Sequence, residues 1–175
     1  MGLFPRAMVA LSAAGVIGAL GATVTLAAQP DEPSLNDEMP PAVEDYSYPG
    51  AETILRDYGV KLTSGDGHIL FANCSDDGNF LKVRTQEKIG ADQKGLICFR
   101  ITDTPGYLNL MVPAVYEIRG DGRAPGEGHK VKAELTTDKG DRTVVDVNPH
   151  GSTPVGISTG KDGQPTTLLR LDAHP

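Results

Sequence analysis

Residues 96–119 read LICFRITDTPGYLNLMVPAVYEIR, and this stretch decides the fold class. The apolar residues at every second position of its two halves are Ile97, Phe99, Ile101, Leu108, Leu110 and Val112. A period of two places such side chains on one face of a β-strand. Pro113 then predicts a bend at a sheet corner or edge, because proline has no N–H to donate to a neighbouring strand.

Comparable runs extend outward from this stretch in both directions. The predicted strands are residues 60–63, 68–73, 80–85, 96–102, 107–112, 115–119, 130–136, 142–147 and 166–172. Many short strands separated by turn residues are typical of a β-sandwich or a compact barrel. Both faces of residues 69–72 are apolar, as in a buried central strand. We therefore predict an all-β fold, an antiparallel β-sandwich that is Ig-like or jelly-roll-like.

Two turns are specific enough to predict strand connections. Ser64-Gly65-Asp66-Gly67 lies between two strand runs and predicts a strand–turn–strand unit. In the hairpin around residues 138–141, pairing Leu135 with Val145 and Ala133 with Val147 keeps the apolar side chains on one face. That register predicts a loop with an odd number of residues, in which Gly140 supplies the positive φ of a bulge.

One short helix is predicted before the first strand. Ala51, Ile54, Leu55 and Tyr58 have the i, i+3, i+4, i+7 spacing of one helical face. Gly59 follows directly and suits a left-handed C-terminal cap.

The N-terminal sequence predicts export. Residues 7–28 carry no charge, follow Arg6, and end in Leu26-Ala27-Ala28. This pattern fits a signal peptide at residues 1–28, cleaved after Ala28. An uncleaved membrane anchor is the alternative, since 22 residues can span a bilayer. Eight Ala and three Gly in the segment favour cleavage, and in either case the remaining chain faces outside.

Residues 29–50 form an acidic, proline-rich linker. They contain five Pro and six Asp or Glu, with no Lys or Arg, so we expect disorder. Tyr46 and Tyr48, beside Pro49, are expected to pack onto the domain at residues 51–175. The net charge of −7 and the lack of a basic cluster disfavour nucleic acid as a partner.

Cys74 and Cys98 are the two cysteines of a chain that we predict to be exported. In an oxidising compartment such a pair most often forms a disulfide. A redox-active pair is the alternative, but those cysteines usually lie close together, as in Cys-x-x-Cys. The four histidines are scattered singly, so the sequence predicts neither a metal site nor a cofactor.

Residues 156–160, GISTG, match the G-x-S-x-G pattern of a hydrolase nucleophile. The turn-like residues 161–165 follow, where that motif needs a helix. His174 is the one downstream histidine, and its place near the end of the chain predicts fraying. We therefore predict no His side chain near Ser158 and no Ser–His–acid grouping in the domain.

Candidate ligand contacts are few. The chain has no Trp, and Tyr107, which follows Pro105-Gly106 at a strand start, is the best exposed aromatic candidate for contacting a ligand such as a sugar. Residues 119–121 spell the Arg-Gly-Asp tripeptide within a predicted turn. The glycine-rich loop at residues 120–128 presents Arg123-Ala124-Pro125, which suits a protease inhibitor.

Residues 58 to 175 resemble small, uncharacterised exported proteins of high-GC Gram-positive bacteria. The motifs that carry the resemblance are YGVKL at 58–62, Cys74 with Cys98-Phe99, GYLNL at 106–110, PAVY at 113–116, PVG at 154–156 and LLRL at 168–171. The resemblance implies a bacterial, exported location and a shared β fold. It implies no catalytic residues.

The expected function is that of a secreted or envelope-associated, non-enzymatic domain. Its partner would be an extracellular protein or an envelope glycan, and it would contact a membrane only if the N-terminal segment stays uncleaved. A small exported hydrolase and a protease inhibitor are the alternatives.

Overall fold

The computed structural model describes residues 46–74, 78–160 and 163–175. The predicted signal peptide and residues 29–45 of the predicted linker lie outside them. Helix α1 (Ala51–Tyr58) precedes the strands. The strands are β1 (Lys61–Gly65), β2 (Ile69–Ala72), β3 (Leu81–Thr85), β4 (Leu96–Ile101), β5 (Gly106–Arg119), β6 (Lys130–Thr137), β7 (Arg142–Val147), β8 (Ser152–Pro154) and β9 (Thr166–His174). Every pairing between these strands is antiparallel, which confirms the all-β class.

Helix α1 ends as its sequence predicts. Gly59 has φ 70° and donates its N–H to the carbonyl of Leu55 at 2.9 Å, which closes the last turn. Ile54 and Tyr58 pack against the core, and the Tyr58 ring meets the edge of Phe71 at a centroid distance of 4.9 Å. Leu55 is exposed, so the apolar stripe is buried along part of its width.

The packed chain begins before residue 51, where the sequence placed the start of the domain. Tyr48 is 8% exposed and belongs to the core, which confirms its predicted packing. Its N–H donates to the carbonyl of Thr63 at 3.0 Å, and its hydroxyl accepts the N–H of Phe71 at 2.7 Å. Tyr46 is exposed.

All nine strands belong to one connected sheet, in the order β2-β4-β3-β5-β9-β6-β7, with β1 and β8 also paired to β5. An Ig-like or jelly-roll-like sandwich would have two sheets that are not joined by hydrogen bonds. The sandwich part of the prediction is therefore not confirmed.

Strand β5 organises this sheet. Residues 106–111 lie between β1 and β9, whereas residues 115–119 lie beside β3 on one side and β8 on the other. The register shifts on both sides of Pro113, and Ala114 has φ 50°. The runs predicted as two strands, 107–112 and 115–119, are thus one bent strand, and Pro113 lies at the predicted bend.

The predicted pairing of residues 60–63 with 68–73 is wrong. Strand β1 pairs with β5, and β2 pairs with β4. The carboxylate of Asp66 explains the divergence, because it accepts the N–H of His68 at 3.1 Å and that of Tyr107 at 3.0 Å. These bonds fix the turn to the first residues of β5.

Strand β2 is an edge strand of the sheet, which contradicts its prediction as a central strand. Leu70 is exposed. The outward N–H of Phe71 is satisfied by the Tyr48 hydroxyl rather than by another strand.

The β6–β7 hairpin has the predicted odd loop, and Gly140 has φ 89°. Its register differs by two residues, since Leu135 pairs with Thr143 and Ala133 with Val145. The bulge explains this shift. A three-residue loop needs its left-handed residue in the third position, which puts residues 138–140 in the loop.

One apolar cluster fills the interior of the described domain. Its largest fully buried side chains include Phe99, Ile69, Leu81, Ile97, Leu108, Ile118, Leu135, Leu168 and Leu171. The predicted disulfide is present, with 5.3 Å between the Cα atoms of Cys74 and Cys98.

The predicted fraying of His174 is wrong. Strand β9 continues to this residue, which pairs with Lys130 of β6. Its Nε2 is buried and has no hydrogen-bond partner among the described residues. Within the same residues, no helix is long and apolar enough to cross a membrane.

Candidate functional site

A cleft of about 690 Å³ opens beside the start of β3, near the last residues of β4 and β5. Strand β3 lies between β4 and β5, and pairs Leu81 with Phe99 and Lys82 with Arg119. The start of β3 therefore comes next to the ends of both neighbouring strands. The lining residues are Asn79, Arg100, Ile101, Asp121, Arg123, Gly128 and His129.

Asp121 and His129 form a doubly hydrogen-bonded pair in this cleft. The Asp121 side chain is nearly buried, and the residue is 6% exposed. Its Oδ1 accepts the backbone N–H of His129 at 2.8 Å, and its Oδ2 lies 2.6 Å from the His129 Nδ1. One residue therefore satisfies both oxygens of a carboxylate that would be costly to bury without partners.

These bonds also fix the His129 ring. A carboxylate oxygen accepts hydrogen bonds, so Nδ1 carries the shared proton. The remaining nitrogen, Nε2, has no hydrogen-bond partner among the described residues. It can accept a bond in the neutral ring or donate one in the charged ring. The side chain is 38% exposed and lines the cleft, so this nitrogen is available to a ligand.

Glycines hold the loop at residues 120–128 against the segment at 148–151. Gly122 donates its N–H to the carbonyl of Pro149 at 2.8 Å. A Cβ on Gly120 would lie 2.2 Å from the Pro149 oxygen, and a Cβ on Gly128, where φ is 89°, would lie 2.3 Å from it. No side chain fits at such distances, so this backbone contact needs glycine.

The same loop closes on itself. The Glu127 carboxylate accepts the N–H groups of Arg123 and Ala124, both at 3.2 Å, and the Glu127 N–H donates to the Ala124 carbonyl at 3.0 Å. A turn with its N–H groups occupied does not favour the protease-inhibitor alternative. The buried carboxylate of Asp121 likewise does not favour an Arg-Gly-Asp recognition site.

The side chains that line the cleft are mostly hydrogen-bond donors. Arg100 lies over the Phe80 ring, 5.4 Å from its centroid, and forms no ion pair with the described residues. The Asn79 amide adds a further donor, and Arg123 also lines the cleft. Asp121 is the one acidic residue among the described lining residues, and His129 occupies both of its oxygens. This arrangement suits a ligand group rich in acceptor oxygens, such as a carboxylate, phosphate or sulfate.

Tyr107 lies outside this cleft, at the opposite end of β5. The Arg170 guanidinium covers one face of its ring, 4.6 Å from the centroid. Hydrogen bonds to Asp172, at 2.8 and 2.9 Å from Nε, hold that guanidinium in place and raise the pKa of Arg170. One ring face is therefore occupied within the protein, and a ligand contact at Tyr107 stays a prediction.

Ser158 does not lie on a nucleophile elbow. Gly156–Thr159 forms a single 3-10 turn, in which the Ser158 N–H donates to the Val155 carbonyl at 3.1 Å. This turn lies close to Thr166 at the start of β9, while His174 is eight residues further along. At a rise of about 3.3 Å per residue, His174 is about 26 Å from Thr166. The only downstream histidine thus lies at the far end of the strand.

Within the described residues, no group of three or more His, Cys, Asp or Glu is arranged to hold a metal ion. No protein-family model matches this chain, and no curated protein matches it. The chemistry of the cleft itself therefore has to support a functional assignment.

Sequence reasoning missed the Asp121–His129 pair. The sequence feature that could have indicated it is that Asp121 and His129 lie at the two ends of a glycine-rich loop, because a tight loop brings its ends together. No sequence feature indicated Asn79 and Arg100, because it is the pairing of β3 with β4 and β5 that places them beside this loop.

Proposed function

We propose that this chain is an exported binding module whose cleft takes up an acidic sugar unit of an envelope glycan. The observation that carries the proposal is the His129 ring, fixed by a buried carboxylate and facing a cleft lined with donors. The disulfide supports an oxidising, extracellular setting. Export itself rests on the N-terminal sequence.

The size of the cleft supports a small ligand. A volume of about 690 Å³ is within the range of small-molecule sites. Arg100 supplies a cationic donor for a carboxylate, phosphate or sulfate, and the Asn79 amide can bind a hydroxyl. The openness of the site to solvent predicts modest affinity that falls as salt is added.

Titration of the full chain tests this proposal. Sodium glucuronate and inorganic phosphate represent the acidic group, and glucose represents a neutral sugar. We expect glucuronate to bind more tightly than glucose, and Arg100→Gln and His129→Gln each to weaken it on the order of ten-fold, through loss of one charge-assisted or oriented donor.

Arg142→Gln is the matched control, because Arg142 is an exposed arginine on β7, away from the lining residues. It should leave glucuronate binding unchanged. Equal binding by the wild type, Arg100→Gln and His129→Gln would show that the cleft is not the site. Preference for an acidic peptide over glucuronate would replace the glycan with a protein partner.

The Asp121–His129 pair also supports the hydrolase alternative. A histidine oriented by a carboxylate is a common general base, and His129 lines the cleft with its Nδ1 held by Asp121. The described lining residues include no Ser, Thr or Cys, so the nucleophile would be a water molecule. Hydrolysis of an acidic glycan that disappears in His129→Gln but persists in Ser158→Ala would establish this second function.

A further inference from the structure

The edge of β7 carries unpaired backbone groups. Among the described strands, β7 is the last of the sheet and pairs with β6 alone. Thr137 donates its N–H to the carbonyl of Asp141 at 2.9 Å, so these two residues form a hydrogen-bonded pair. Such pairs alternate along an antiparallel ladder. The β7 residues whose backbone groups face away from β6 are therefore Arg142, Val144 and Asp146.

The side chains of these three residues are also exposed. Val144 is 59% exposed and is one of the few large apolar side chains on the described surface. Arg142 and Asp146, two residues before and after it, carry opposite charges. An open strand edge with an apolar centre is a template for another strand.

We propose that β7 pairs antiparallel with β7 of a second copy of this chain, about a two-fold axis at Val144. Each Val144 then lies opposite its counterpart, and each Arg142 lies opposite the Asp146 of the other copy. All three outward-facing residues find hydrogen-bonded partners. The surface is self-complementary, as a two-fold interface requires.

Charge selects this register among the alternatives. A shift of the pairing by two residues in either direction would place Val144 opposite a charged residue and leave one charged residue without a partner strand. The centred register pairs opposite charges at both ends and two valines in the middle, and such cross-strand pairs are favourable.

Within the part of the chain that the structure describes, no hydrogen bond occupies the outward backbone groups of Arg142, Val144 and Asp146. Arg142 forms an ion pair with Glu134 at 2.7 Å, and Asp146 forms one with Lys132 at 2.8 Å. Both pairs join β7 to β6 across the sheet face and leave the outward backbone groups of β7 unpaired. The proposal is independent of the glycan-binding cleft.

Val144→Cys tests the register in the full chain. Opposed residues of a hydrogen-bonded pair lie about 5.5 Å apart between Cα atoms, which is within the range for a disulfide. The two native cysteines are bonded to each other, so the new thiol is free. We expect a covalent dimer in oxidised glutathione. Lys139→Cys, in the hairpin loop, is the control. In the proposed register, residue 139 of one copy lies ten residues along the strands from residue 139 of the other, or about 33 Å away.

Charge reversal tests the pairing by sedimentation equilibrium. Arg142→Asp should weaken dimerisation on the order of ten-fold, because two attractive pairs become repulsive. The double variant Arg142→Asp with Asp146→Arg should restore it. That variant places like charges beside Glu134 and Lys132 of its own chain, so recovery cannot come from contacts within one copy.

Val144→Pro separates pairing from folding. The N–H that this variant removes faces away from β6, and proline is tolerated at such edge positions. We expect a folded monomer with its disulfide intact. A wild-type chain that stays monomeric at its highest soluble concentration, or a dimer that Val144→Pro and Arg142→Asp leave unchanged, would overturn the proposal.

Discussion

Replacement of Tyr48 by Phe isolates one hydrogen bond of the core. The ring and its packing remain, while the hydroxyl that accepts the Phe71 N–H at 2.7 Å is lost. This N–H lies on the side of β2 that faces none of the described strands, so it is left without its partner in a part-buried position. An unsatisfied donor of this kind costs about 1–3 kcal/mol. We expect a loss of about 1.5 kcal/mol of unfolding free energy at neutral pH, measured by urea denaturation.

The pH dependence of this difference provides a second test. Burial raises the pKa of Tyr48 above its ordinary 10.0, opposed in part by the hydrogen bond from Phe71. The folded chain therefore holds the phenol proton more tightly than the unfolded chain does. This contribution to stability is complete below pH 10 and is lost as the pH rises through the raised pKa, because the unfolded chain ionises first.

The wild type should therefore lose stability above pH 10 faster than Tyr48→Phe, and the gap between them should narrow. A pKa difference of one corresponds to about 1.4 kcal/mol. Tyr116→Phe is the control, since its hydroxyl makes no hydrogen bond with the described residues. Equal stability of the wild type and Tyr48→Phe at neutral pH, or a gap that stays constant to pH 11, would refute this reasoning.

Three further changes probe other parts of the fold by denaturant unfolding. Reduction of the Cys74–Cys98 bond, which closes a loop across a separation of 24 residues, should cost about 3.5 kcal/mol, and a loss under 1 kcal/mol would argue against the chain-entropy explanation. Thr85→Val removes the hydroxyl that donates to the Pro113 carbonyl at 2.5 Å and accepts the Glu87 N–H at 3.1 Å, and should cost about 1–2 kcal/mol; no loss would mean that these bonds do not hold the bend. Gly140→Ala forces a Cβ into a left-handed conformation with no nearby atoms and should cost about 1–2 kcal/mol, whereas Gly140→Asn should cost less; equal losses would contradict a purely conformational effect.

The strands and their local punctuation could be predicted from the sequence. A period of two is a property of each strand by itself, so nearly every run was placed within a few residues. The helix end at Gly59, the bend at Pro113 and the loop at Gly140 were predicted correctly, since glycine and proline favour backbone conformations that few other residues adopt. Strand β8 was missed because three residues carry no measurable period.

Strand partners could not be predicted in the same way. The turn at residues 64–67 shows that the chain reverses, but Asp66 selects its partner through Tyr107, a bond that spans 41 residues. The apolar residues of β2 suggested neighbours on both sides of the strand. Tyr48 and helix α1 cover it instead, with Tyr58 against Phe71.

The candidate cleft could not be predicted, because it depends on the geometry of a loop and a period of two describes strands alone. Asp121 reads as an exposed turn residue in the sequence, yet the loop glycines bring it under His129, where its carboxylate is buried. Arg100 reads as the outward residue of a strand. It joins the cleft because β3 and β5 end beside it.

Because β5 continues through its bend, the domain does not divide there into two independent folding units. A backbone cut at residues 113–114 would separate residues 115–119 of β5 from β3, and residues 106–112 of β5 from β9, so neither fragment would retain all of its strand partners. The amide hydrogens on the two sides of the bend should therefore exchange with solvent through the same opening event. Circular permutation of this chain would have to place its new ends in loops that do not interrupt β5.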